Sequence, residues 1–351
     1  MSSQAKEQPI SQARDEGLAK YLVEEFVEEY QEGRMTRRDA LKRIAGIVGG
    51  LTLAESLLAA CAPAATPAPA APPAPTAAPT QSPTAAPTAT TQPATPTAAA
   101  MPSATVTSAG TSGVTVRADD PAIEAGPVQF PGQGSTILAY LAQPKGAGPF
   151  PAVLVCHENR GLLEHIKDVT RRLAKAGYVG LAVDLLSRQG GIDKIGDPAQ
   201  VPGLLANSPQ QQLVQDFKDG LAYLQGQPFV SKDRIGMVGF CFGGGVTWRC
   251  ATQIPELRAA VPFYGPNPPL EDVPNIKAAV LAMYGEMDTR ITSGAAAIEQ
   301  AMKQNNKTFD KIIYPRANHA FHNDTGQNYN AEAAKDAWAK TLAWFDKYLK
   351  A

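Results

Sequence analysis

The residues best suited to chemistry lie in the run Arg234-Ile-Gly-Met-Val-Gly239-Phe240-Cys241-Phe242-Gly243-Gly244-Gly245. An apolar strand enters a sharp turn with a cysteine at its apex, and glycines stand two residues to either side. This is the nucleophile-elbow pattern, with G-x-C-x-G in place of G-x-S-x-G. On such a strained turn Gly239 and Gly243 are required where a side chain would collide with neighbouring backbone. The helix that follows favours a thiolate on Cys241, and the Phe242 N–H is placed to donate to an oxyanion. A small-residue turn around a structural core thiol would read alike at this level.

A nucleophile on an elbow needs a base and an acid, and in this kind of fold the acid follows a later strand and the histidine comes last. Ala279-Val-Leu-Ala-Met-Tyr284-Gly285-Glu286-Met287-Asp288 is a strand, a glycine turn and an acid, with Glu286 the rival to Asp288. Lys311-Ile-Ile-Tyr314-Pro315-Arg316-Ala317-Asn318-His319 is a strand leading to a loop histidine ahead of the final helix. The order Cys241, Asp288, His319 fits acyl transfer through a thiolate. His319 and His322 stand three apart, but no third ligand is placed by spacing, so no metal is expected. His157, His165 and His322 read as supporting or surface residues, and Cys156 and Cys250 as packing thiols.

The elements that must hold these residues alternate in type. Strands are expected at 136–142, 152–156, 178–183, 234–239, 259–264, 279–284 and 311–314, and helices at 164–176, 209–225, 243–253, 293–305 and 331–349. That order implies the α/β class: an α/β-hydrolase fold with a mostly parallel central sheet and helices on both faces. Across 351 residues, Lys+Arg 32 against Asp+Glu 33 leaves a net charge of −1, which excludes a basic surface built for nucleic acid. Four irregularly spaced cysteines exclude a disulfide framework.

With these motifs in order, residues 113–351 resemble the dienelactone hydrolase family. The resemblance rests on G-x-C-x-G-G from Gly239 to Gly244, on His157-Glu158-Asn159-Arg160-Gly161 after the third strand, on Asp184-Leu185-Leu186-Ser187-Arg188, and on His319-Ala320-Phe321. It implies a cofactor-free hydrolase in which His319, oriented by Asp288, leaves Cys241 as thiolate to attack a lactone or ester carbonyl. The Phe242 and Asn159 N–H groups would then hold the oxyanion. It also implies that Glu158 takes the thiol proton in the resting enzyme. Relatives carry a carboxylate-binding Arg four residues after the histidine, where this chain has Asn323, while Arg188 matches their second such Arg. The expected substrate is a small lactone or ester. The alternatives are a general carboxylesterase on neutral esters and a non-catalytic binding module on the same fold.

Upstream, Thr36-Arg37-Arg38-Asp39-Ala40-Leu41-Lys42 precedes an apolar stretch from Ile44 to Ala60 and then Cys61. This resembles a twin-arginine export signal ending in a lipobox, with Ala40 in place of the usual Phe and Glu55 inside the apolar run. The implied protein is exported and lipid-anchored through Cys61 at the outer face of a bacterial cytoplasmic membrane or in the periplasm. From Ala62 to about Pro102 the chain is almost entirely Ala, Pro and Thr, a composition too poor in large apolar groups to offset the entropy of ordering. The expected organisation is a leader over 1–60, the lipidated cysteine and a linker over 61–112, and a catalytic domain over 113–351. Leu18, Leu22, Phe26 and Tyr30 recur at helical spacing in the leader and read as an amphipathic helix removed with the signal.

Overall fold

The computed structural model describes residues 8–60 and 115–350. Cys61 and the Ala/Pro/Thr-rich run lie outside the described residues. In chain order the elements are α1 (Gln8–Gln31), α2 (Arg37–Val48), α3 (Leu51–Ala60), β1 (Ile123–Gly132), β2 (Ser135–Pro144), β3 (Phe150–Cys156), α4 (Glu164–Lys175), β4 (Val179–Val183), α5 (Val201–Ala206), α6 (Gln210–Gln225), β5 (Val230–Phe240), α7 (Phe242–Gln253), β6 (Ala259–Phe263), β7 (Ala279–Gly285), α8 (Thr289–Thr292), α9 (Ala295–Gln304), β8 (Phe309–Tyr314) and α10 (Ala331–Phe345).

The eight strands form one sheet in the order β1-β2-β4-β3-β5-β6-β7-β8. From β4 to β8 every pairing is parallel, and β1 and β2 add an antiparallel edge. Every residue of β4, β6 and β7 is buried, as a sheet covered on both faces requires. The expected strands and the main helices are present, with shifted ends. β1 is the strand that the pattern did not predict, since Pro127 and Pro131 interrupt its alternation. Prolines are tolerated there because β1 is an edge strand.

Parallel pairing levels the strand ends. Cys156 pairs with Gly239, Phe240 with Phe263, and Gly285 with Tyr314, so the loops after β3, β5, β7 and β8 emerge along one carboxyl edge. Ligands of open α/β sheets collect at that edge.

Residues 8–60 belong to the same compact unit as the sheet. The apolar stretch from Ile44 to Ala60 is not one helix. It breaks at Gly49, whose φ of 77° closes α2 in the left-handed region, and α3 starts after it. Among the described residues no helix is long and apolar enough to cross a membrane. Leu18, Leu22 and Phe26 of α1 and Ala40, Leu41, Ile44 and Ile47 of α2 are buried in the same core as the strands. The backbones of α2 and α5 approach so closely that a Cβ on Gly203 would lie 2.7 Å from the Gly46 carbonyl.

Candidate active site

Cys241 is the residue between β5 and α7, with φ 58° and ψ −122°, a conformation L-residues avoid. The surrounding glycines make it possible. A Cβ on Gly239 would stand 2.2 Å from the Gly243 carbonyl, and one on Gly243 would stand 2.4 Å from the His157 carbonyl. The expectation of a glycine-enforced elbow therefore holds at both positions. Phe242 opens α7, where a helix leaves its first N–H groups without intrahelical partners.

Asp288 follows β7 and is fully buried, and its Oδ2 lies 2.6 Å from His319 Nδ1. The rival Glu286 points elsewhere, accepting the Arg316 N–H at 2.9 Å. His319 Nε2 is left facing the sulfur. Burial opposes an imidazolium at His319, but the negative charges of Asp288, the Cys241 sulfur and Glu25 outweigh it and raise its pKa well above the usual range. Burial raises the Cys241 thiol, the Glu25 carboxylate raises it further, and His319 pulls the other way without prevailing.

The carboxylate at that thiol is not the expected one. The Cys241 thiol donates to Glu25 of α1, at 3.5 Å to Oε1 and 3.6 Å to Oε2. Glu158 lines one cavity with Glu25 and Cys241, but its Oε2 accepts from Asn323 Nδ2 at 2.7 Å and its Oε1 is buried without a hydrogen-bond partner. Asn323 thus holds one oxygen of Glu158, whose charge still adds to the raised pKa of the Cys241 thiol. Asn159, three residues beyond β3, donates its side-chain amide to Glu25 Oε1 at 2.9 Å.

Arg188 is not brought to the site. Its Nη1 contacts both oxygens of buried Asp216 at 2.7 Å, and it borders a separate cavity beside α5. The sequence places Arg188 near β4 but says nothing of Asp216 on α6, whose charge decides where the guanidinium points. The other histidines are buried rather than on the surface. His157 Nδ1–H donates to the Glu158 carbonyl at 2.7 Å while its Nε2 accepts the Leu185 N–H at 3.2 Å, fixing the loop after β3. His165 pairs with Asp324, and His322 stacks on Phe240, where burial drives its pKa down to about 3. Cys156 and Cys250 are fully buried.

Three residues of the site went unread in the sequence: Tyr21, Glu25 and Arg290. Tyr21 Oη lies 3.4 Å from Cys241 Sγ and 3.5 Å from His319 Nε2, and the Arg290 guanidinium lies over the Tyr21 ring at 4.5 Å. Tyr21, Glu25 and Glu28 recur at i, i+4 and i+7 along the edge of the apolar stripe, the only signal that the sequence carries of their common face. Glu25, Cys241 and His319 also bring one potential metal-donor atom each within 4.8 Å of one another, a grouping absent from the sequence spacing. All three line a cavity of about 750 Å³ that opens past Glu158, Arg160 and Asn323.

A mostly parallel sheet with these loops along its carboxyl edge defines an α/β hydrolase. The dienelactone hydrolase family profile matches residues 137–349, and the chain belongs to that family. It is accordingly an enzyme, a hydrolase acting on ester or lactone bonds. A protein of Methylorubrum extorquens described as a candidate carboxymethylenebutenolidase is 37% identical over 246 residues, covering 67% of this chain and 84% of its own. One of Salmonella typhimurium with the same description is 36% identical over 246 residues, covering 66% and 91%. The crystal structure of a candidate dienelactone hydrolase from Klebsiella pneumoniae is 37% identical with a TM-score of 0.60, covering 65% of this chain and 100% of its own.

Proposed function

We propose that the enzyme opens lactones or cleaves esters through a Cys241-His319-Asp288 triad and an acyl-thioester. The observation that carries this reading is the 2.6 Å contact of Asp288 with His319 Nδ1, which aims Nε2 at a cysteine held on a glycine-flanked apex. His319 Nε2 takes the thiol proton, and the sulfur attacks the carbonyl carbon. The N–H groups of Phe242 and Asn159 receive the oxyanion. Collapse breaks the C–O bond, and the alkoxide takes the proton from His319. A water deprotonated by the same nitrogen then hydrolyses the thioester, releasing the acid and restoring the thiol. Asp288 holds the imidazole tautomer throughout.

A carboxymethylenebutenolidase-type activity is the reading that the relatives' descriptions favour, and the substrate we propose for it is an anionic lactone. A carboxylesterase on neutral esters is the second reading. It is favoured by Arg188 lying outside the cavity and by the neutral amide of Asn323 inside it. Mass spectrometry of the enzyme quenched during turnover of p-nitrophenyl esters tests the chemistry, with the acyl group expected on Cys241. An acyl group elsewhere, or none with turnover intact, removes the assignment. The ratio of kcat/KM for an anionic lactone to that for a neutral ester separates the two substrate readings.

We also propose export as a lipoprotein anchored through Cys61. Arg37 and Arg38 support it, since both are exposed at the start of α2 and open to a receptor. Expression in a bacterium with lipoprotein processing tests it. Acylated Cys61 at the mature N-terminus is expected, and a mature chain that still begins at Met1 in every fraction removes the proposal.

A further inference from the structure

We propose that α1 is an intramolecular inhibitor that lies in the substrate cleft as a bound product would, with the Glu25 carboxylate in the place of the acyl group. The proposal rests on the reading of Cys241 as the nucleophile.

A carbonyl carbon must come within about 3–3.5 Å of the sulfur for attack. The shell around Cys241 Sγ already holds Tyr21 Oη at 3.4 Å and the Glu25 oxygens at 3.5 and 3.6 Å. Cys241 is 3% exposed and His319 6%. Tyr21 Oη also stands 3.5 Å from His319 Nε2, the atom that must take the thiol proton, and Glu25 Oε1 takes the amide of Asn159. Nucleophile, base and the loop after β3 are thus all engaged by two side chains of one helix. Ester hydrolysis releases a carboxylic acid, so a carboxylate resting on the sulfur belongs to the product's chemical class.

The helix is held there by more than these contacts. Leu18, Leu22 and Phe26 are buried in the core. Arg290, two residues beyond Asp288, bonds Glu28 Oε2 through Nε at 3.2 Å and covers the Tyr21 ring. Its Nη1 and Nη2 are buried without hydrogen-bond partners. Withdrawal of α1 would present those donors to the cleft, so Arg290 clamps the helix when docked and faces an incoming anionic group when it is gone. If the leader is removed ahead of Cys61, as in the export reading, Tyr21 and Glu25 leave in the same cut.

The test compares the full-length chain with the Tyr21→Ala/Glu25→Ala variant and with Leu22→Asp/Phe26→Asp, which pulls the apolar stripe out of the core. Two rates are read: alkylation of Cys241 by iodoacetamide, located by peptide mass spectrometry, and hydrolysis of p-nitrophenyl acetate. Both are expected to rise about tenfold or more in each variant, because a site open in one molecule in ten reacts at a tenth of its intrinsic rate. A synthetic peptide of residues 8–31 is expected to lower them again. Unchanged labelling and hydrolysis in both variants overturns the proposal. A fall in hydrolysis at unchanged labelling makes α1 a working wall of the site and also overturns it. Faster labelling without turnover of any ester supports α1 as the cover of Cys241 while removing the ester reading.

Discussion

The elbow at Cys241 and the helix α1 meet at one sulfur atom, yet they are held there by different physics. The elbow is a backbone device: glycines at 239 and 243 admit carbonyls to distances that no Cβ could share, and the turn has one solution. Helix α1 is a side-chain device, an apolar stripe with Tyr21, Glu25 and Glu28 along its edge, and such a stripe can pack or detach without breaking a covalent neighbour. A reactive group belongs on the first kind of support, which holds geometry. A removable cover belongs on the second.

The largest effect is expected from Cys241→Ala. With the proposed nucleophile gone, hydrolysis should fall to background while far-UV circular dichroism is kept, and residual wild-type turnover would move the chemistry elsewhere. Asp288→Asn should lower kcat by roughly 10²–10⁴-fold through loss of the imidazole's orientation and charge. Glu286→Gln, whose residue only caps the turn at Arg316, should stay near wild type. Equal losses in the two variants would show that the acid had been chosen wrongly.

Arg188→Ala tests a contact outside the cleft. It should cost about 3 kcal/mol of stability by leaving Asp216 buried without its cation, and it should leave the anionic-to-neutral substrate ratio unmoved. Burial raises Asp216 to about 6 even against the pull of Arg188. The folded protein therefore keeps a proton that the unfolded chain, at about 3.9, releases. Stability from this group is full below pH 4 and is lost as pH rises toward 6. Without Arg188 the folded value climbs further, so denaturant melts should show a larger deficit at pH 8 than at pH 4. A substrate ratio that shifts instead would return Arg188 to the cleft.

Gly243→Ala should cost about 1–3 kcal/mol through the clash with the His157 carbonyl, read as a lower melting temperature. A stable variant would mean that the elbow has room for a methyl group at position 243. The smallest effect concerns the point where the two devices touch. In Glu25→Gln the thiol keeps its burial but loses a neighbouring negative charge, so the pH midpoint of Cys241 alkylation should move down. An upward move or none would show that Glu25 does not act on the sulfur.

The local turn and the order of the loops are legible in the residues alone. G-x-C-x-G specifies its turn because the steric reason lies within a few residues. The succession Cys241, Asp288, His319 follows from strand order, since parallel strands carry their loops to one edge. Asp288 was separated from Glu286 only in three dimensions, because two acids two residues apart on a turn differ in direction rather than in pattern. Arg188 and Glu158 were matched by motif, but their directions belong to Asp216 and Asn323, groups 28 and 165 residues away that no spacing connects. The stripe of Leu18, Leu22 and Phe26 announced that α1 buries a face without naming the partner. An apolar stripe is not directional, and the surface that receives it is assembled from α2, α5 and α7, with Tyr21 and Glu25 reaching Cys241 across 220 and 216 residues.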